Sequence, residues 1–151
     1  MSETPSPGHR RPDGVDDATV AALGKLSEAL EAVEVARGHL YAFHRLCGTA
    51  DLTLGTAVEE LRDAGHGELA DRISDELVGR NVLDGRWSFQ IVEEYDATYW
   101  TTFRTLEREA REALVHGRQH LHEAEMKEER RTRGHPHHTA RPSGSGAPTG
   151  T

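Results

Sequence analysis

Apolar residues recur at helical spacing through the second half of the chain: Phe89, Val92, Tyr99, Phe103, Leu106, Ala110, Ala113, Leu114, Leu121 and Ala124. From Trp87 to about Arg131 there is no Pro and only one Gly. The pattern predicts one long helix with a single apolar stripe, and the rest of the chain is arranged to cover that stripe. Ser88 is placed to cap its start, with Trp87 and Val92 at the spacing of a hydrophobic staple. Glu107, Arg108, Arg111, Glu112 and Arg118 read as the solvated opposite face. There i,i+4 ion pairs contribute only about 0.3–0.5 kcal/mol each.

Upstream, Asp16 or Asp17 caps a first helix predicted to run to about Leu46. Leu23, Leu26, Leu30, Val33, Leu40 and Cys47 follow a 3-4 spacing, with Arg37 and His44 in two of the inward slots. Gly48 is the predicted stop. A short helix from about Leu52 to Ala64 carries Leu54, Val58 and Leu61 on one face. Another, from about Glu68 to Gly79, carries Leu69, Ile73 and Leu77. Asn81 is the predicted left-handed cap, Val82 and Leu83 an apolar plug, and Asp84-Gly85 a turn. No stretch alternates as a strand would. The fold class expected is all-α: two long antiparallel helices with a short helical hairpin inserted between them, four-helix-bundle-like at one end.

Composition changes this picture at the ends. Leu, Ile, Val and Phe number 28, all between Val15 and Leu121. Residues 1–14 and 133–151, rich in Pro, Gly, His and polar residues, are therefore expected to be disordered tails around a helical domain at 15–132. A net charge of −8 argues against nucleic-acid binding. No apolar run approaches the roughly 20 residues of a membrane span, and no secretory h-region is expected. Cys47 is the single cysteine, so no internal disulfide forms, which fits the cytoplasm.

Two groups of side chains have metal-ligating chemistry. Glu112, His116, His120 and Glu123 are spaced 4, 4 and 3 and would share a helix face, where two His at i,i+4 can grip one ion. His39 and His44 on the first helix and Glu93 and Glu94 on the last would meet at one bundle end. A di-iron bundle asks for Glu-x-x-His on two helices, and the chain contains no such motif. The plainer readings are a solvated face and a hydrogen-bonded network that fixes register. Arg37 and Asp96 are charged residues inside otherwise apolar stripes. With antiparallel pairing they come within a turn of each other and are expected to form an ion pair. No phosphate loop, nucleophile elbow or paired-cysteine motif occurs.

The stretches VEVARGHLYAFHRLCGTADL (33–52), ELVGRNVLDGRWSFQIVEEYD (76–96) and HLHEAEMKEERRTRGHPHHTARP (120–142) together resemble a family of small actinobacterial all-α proteins. The resemblance covers about residues 27–142 and implies no activity and no site. The expected function is a non-enzymatic interaction or scaffold role, using the exposed two-helix end and the His-rich tail to meet a protein partner or a second copy, with residues 15–30 and 105–125 as the expected dimer contact. The alternative is a metal-binding bundle of ferritin-like or di-iron type. No organic cofactor is implied.

Overall fold

The computed structural model describes residues 4–143 and is all-α. Helix α1 spans Asp17–Asp63 and α2 spans Gly67–Glu76. Helix α3 (Ser88–Tyr95) passes through a π turn (Asp96–Trp100) into α4 (Thr101–Val115). Helix α5 covers Leu121–Arg130. The chain divides into two compact units. Unit 1 comprises the chain up to Leu30 and from Arg104 onward, and unit 2 comprises Glu31–Phe103.

The predicted break at Gly48 is not there, because α1 continues through it as a single 47-residue helix. A mid-helix glycine costs about 1 kcal/mol. Against that, the inward row Val33, Arg37, Leu40, His44, Cys47, Asp51, Leu54, Val58 and Leu61 keeps an unbroken 3-4 spacing across Gly48. Every member of that row is buried or half-buried. Asp51 hid the continuity by placing a carboxylate in an apolar series.

The long C-terminal helix departs from expectation twice. First, a π turn at Asp96–Trp100 inserts an extra residue into one turn. Of the expected stripe, Phe103 and Ala110 are half-buried and Leu121 is buried, but Tyr99, Leu106 and Leu114 are more than half exposed at 53%, 58% and 52%. Their successors Trp100, Glu107 and Val115 are turned inward instead. Threonine hydroxyls mark the distortion: Thr98 donates to the Glu94 carbonyl at 2.5 Å, and Thr101 donates to the Asp96 carbonyl. Second, the helix stops at Val115 and restarts at Leu121. His116, Gly117 and His120 all adopt left-handed backbone, with φ of 57°, 74° and 56°. The Gly117 N–H closes the end on the Arg111 carbonyl at 2.9 Å.

Within unit 1, the first turns of α1 run antiparallel to α4. Val20, Leu23, Val115 and Leu121 form the core, with Val15 and Ala110 against it. The restart at Leu121 lets α5 return to α1, where a Cβ on Gly24 would stand 3.2 Å from His122 Cβ. The described end segments of this unit, expected to be tails, make polar contacts. Arg11 grips Glu125 with two hydrogen bonds of 2.9 Å, and Arg141 donates to the Thr4 and Pro5 carbonyls. Arg131 pairs with both oxygens of Glu128 at 2.7 and 2.8 Å and donates to the His138 carbonyl. These contacts are side-chain ion pairs and side-chain-to-backbone bonds, and Pro12 is buried among them. Residues 1–3 and 144–151 of the expected tails lie outside the described residues.

The left-handed backbone at Gly117 gives a prediction with an internal control. Gly117→Ala is expected to cost roughly 1 kcal/mol, because a Cβ strains that conformation. Gly38→Ala sits in open space within α1 and should instead stabilise by about 0.5–1 kcal/mol through helix propensity. Urea denaturation of both variants checks the opposed signs.

Candidate functional site

Unit 2 pairs the second half of α1 with α3 and the π turn, running antiparallel. The contacts Glu34–Trp100, Arg37–Asp96 and His44–Ser88 mark the register. At the π turn, Arg37 Nε and one terminal nitrogen donate to the two oxygens of Asp96 at 2.8 and 3.0 Å. Both side chains are 24% exposed. The guanidinium carbon lies 3.8 Å from the Trp100 ring centroid and 5.0 Å from that of Tyr41. Trp100 Nε1 donates to Glu34 Oε1 at 2.9 Å. Asp96 opens the π turn and Trp100 closes it, and both meet Arg37. The Arg37 hydrogen bonds hold the Asp96 carboxyl below its usual range, against the opposing effect of burial. Burial pushes the neighbouring Tyr95 hydroxyl up. The guanidinium is paired to a carboxylate and stacked on rings, so this layer ties the two helices together.

One level further along α1, His44 Nδ1 and Ser88 Oγ are 2.8 Å apart, and Ser88 Oγ also donates to the His44 carbonyl. Ser88 is therefore not the helix cap that its position suggested. The α3 start is held instead by Gln90, whose side-chain oxygen accepts the Trp87 N–H at 2.8 Å.

Beside Ser88 is a cavity of about 300 Å³. It is lined by Cys47, Asp51, Leu52, Arg80, Val82, Trp87 and Ser88. Gly79, next to the lining residue Arg80, has a φ of 72° and supplies the reversal expected of Asn81. The Gly79 N–H is taken by Asp51 Oδ1 at 2.8 Å and its carbonyl by Trp87 Nε1 at 3.1 Å. Val82 and Leu83 do not plug the fold; they are 41% and 55% exposed, and Val82 lines the cavity. Sequence reading missed this site because its walls come from α1 and from the turn before α3. The Asp84-Gly85 reversal between them forms as expected, with Leu83 and Arg86 paired at 3.0 and 3.2 Å.

The expected metal-ligand groups do not assemble. His39, Glu93 and Glu94 are exposed and His44 is committed to Ser88. Glu94 is paired with Arg86 at 2.7 Å. No three of His39, His44, Glu93 and Glu94 bring ligand atoms within 4.8 Å of one another. His116 and His120 were expected to share a helix face. They lie instead in the non-helical 116–120 connection, because left-handed backbone at both ends it. No three of Glu112, His116, His120 and Glu123 converge either, although His120 Nδ1 lies 3.9 Å from Glu123 Oε1.

Among the described residues no helix is long and apolar enough to cross a membrane. Comparison with known protein families, characterised proteins and solved structures finds no match for the chain.

Proposed function

We propose that the protein is a non-enzymatic interaction module whose contact surface is the outer row of α1 in unit 2. The observation that carries this reading is a second 3-4 row on the same helix. Ala32, Val35, His39, Ala42 and Leu46 are all exposed, with Val35 at 62% and Leu46 at 68%. The inward row of α1 is already committed to α3 and the π turn, so the outer row has the spacing for knobs-into-holes packing with another helix. Charge narrows the partner. Residues 31–103 contain 14 acidic and 6 basic side chains, a net −8, whereas unit 1 has 12 of each. The favoured partner is a protein helix with an apolar 3-4 row and basic flanks.

A synthetic helical peptide of that design tests it. Calorimetry should show binding that weakens as salt rises, since charges on both surfaces are solvent-facing. Val35→Asp/Leu46→Asp should weaken it by at least about tenfold, because each substitution asks for a carboxylate to be buried. A peptide with acidic flanks should bind far less well. Equal binding of the double variant, or indifference to the sign of the flanks, would contradict the reading. Sedimentation of the protein alone separates the case of a second copy as partner.

A further inference from the structure

We propose that the cavity beside Cys47 is a binding site for a small amphipathic anion, an apolar chain or ring carrying one carboxylate. This is independent of the outer row of α1, since the cavity opens between the inner side of that helix and the 79–88 turn. Three observations carry it. The cavity holds about 300 Å³, at the lower end of small-molecule sites. At about 30 Å³ per water-sized group it takes on the order of ten heavy atoms, too few for a helix or a peptide. Its walls are the apolar faces of Leu52, Val82 and Trp87, so the body of the ligand is hydrocarbon or aromatic.

Arg80 specifies the head. Asp51 Oδ1 accepts the Gly79 N–H at 2.8 Å, and the Asp51 carboxylate keeps its charge, so a carboxylate head must reach Arg80 against the acidic balance of this unit. The described hydrogen bond of Arg80 is a long one, 3.5 Å to the Glu76 carbonyl. Arg80 is exposed and lines the cavity, a planar donor suited to a carboxylate. The turn beside the cavity is held by two bonds, Asp51 Oδ1 accepting the Gly79 N–H and Trp87 Nε1 donating to the Gly79 carbonyl.

Cys47 is the single cysteine and lines the cavity, so alkylation of its thiol reports occupancy. The experiment measures the rate at which iodoacetamide alkylates the full-length protein, with sodium octanoate or 1-octanol present. Saturating octanoate is expected to slow alkylation at least about fivefold by excluding the reagent from the thiol. Octanol should protect more weakly at equal concentration. Arg80→Gln is expected to raise the octanoate dissociation constant about two- to fivefold, the scale of an exposed ion pair, and leave octanol unchanged. Leu52→Asp should abolish protection by both. At 78% exposed, Leu52 can be replaced without touching the core, and an unchanged circular dichroism spectrum verifies that. Leu46→Asp, on the outer row, should protect like wild type. Octanoate that leaves the alkylation rate unchanged at millimolar concentration would overturn the proposal, as would Leu52→Asp protein that is still protected. Equal protection by octanol and octanoate would overturn the assignment of an anionic head.

Discussion

Arg111→Leu is expected to destabilise the protein by on the order of 3 kcal/mol, the largest effect of any single charge removal discussed for this chain. On an ordinary solvated helix face an i,i+4 pair such as Glu107–Arg111 contributes about 0.3–0.5 kcal/mol. Here Glu107 is 5% exposed, with Arg111 Nε at 2.7 Å and Ser27 Oγ at 3.1 Å as its donors. Removing the guanidinium leaves a buried carboxylate with one neutral donor. It also removes the bond from Arg111 to the Gly117 carbonyl at 3.0 Å, which helps close the end of α4. Glu107→Gln keeps the shape and both donors and should cost only about 1 kcal/mol. The double variant Glu107→Leu/Arg111→Leu should recover much of the loss, since no charge is then stranded. Urea denaturation of the three variants decides the matter. A loss below about 0.5 kcal/mol for Arg111→Leu would mean that water reaches the carboxylate.

The second large effect is at the π turn. Asp96→Leu is expected to cost on the order of 2 kcal/mol, below the range for fully buried pairs because both partners are a quarter exposed. Arg37→Met should also destabilise, through the lost pair and the lost stacking on Trp100 and Tyr41. The double variant should cost about as much as the worse single, because the two changes remove one shared interaction. Additive losses would contradict the pair.

The same pair gives a pH dependence. The Arg37 hydrogen bonds hold the folded Asp96 carboxyl below its ordinary value near about 3.9. The unfolded chain therefore takes up the proton first. The stabilisation is fully present above that ordinary value and is lost as pH falls through the lower, folded one. The stability gap between wild type and Asp96→Asn should be flat near neutrality and close in acid below about pH 4. A gap unchanged to lower pH would mean that the carboxylate and guanidinium do not bond.

The all-α class was legible because helical periodicity and the absence of alternating runs are local signals. Arg37 and Asp96 were legible as a pair because each interrupts an apolar row, and an antiparallel count puts them within a turn. The phase of α4 was legible only in part. A π turn adds one residue to one turn, and no local composition announces it at DATYW. Leu106 and Leu114 are exposed and Glu107 and Val115 buried, while Phe103 and Ala110 keep their expected inward places. The Glu107–Arg111 pair, unremarkable in the sequence, is a buried one. The stop at His116–His120 was obscured because one glycine amid helix formers reads as a tolerated interior residue. The cavity at Cys47 depends on how the 79–88 turn closes on α1, a tertiary relation that periodicity does not carry.

The reading of unit 2 as a contact surface is tested most directly by amide chemical-shift mapping of the full-length protein with the basic amphipathic peptide. Perturbations are expected to centre on Ala32, Val35, His39, Ala42 and Leu46, to saturate, and to be lost in the Val35→Asp/Leu46→Asp protein. Perturbations centred on α4 or α5, or none at all while the outer row remains exposed, would contradict it.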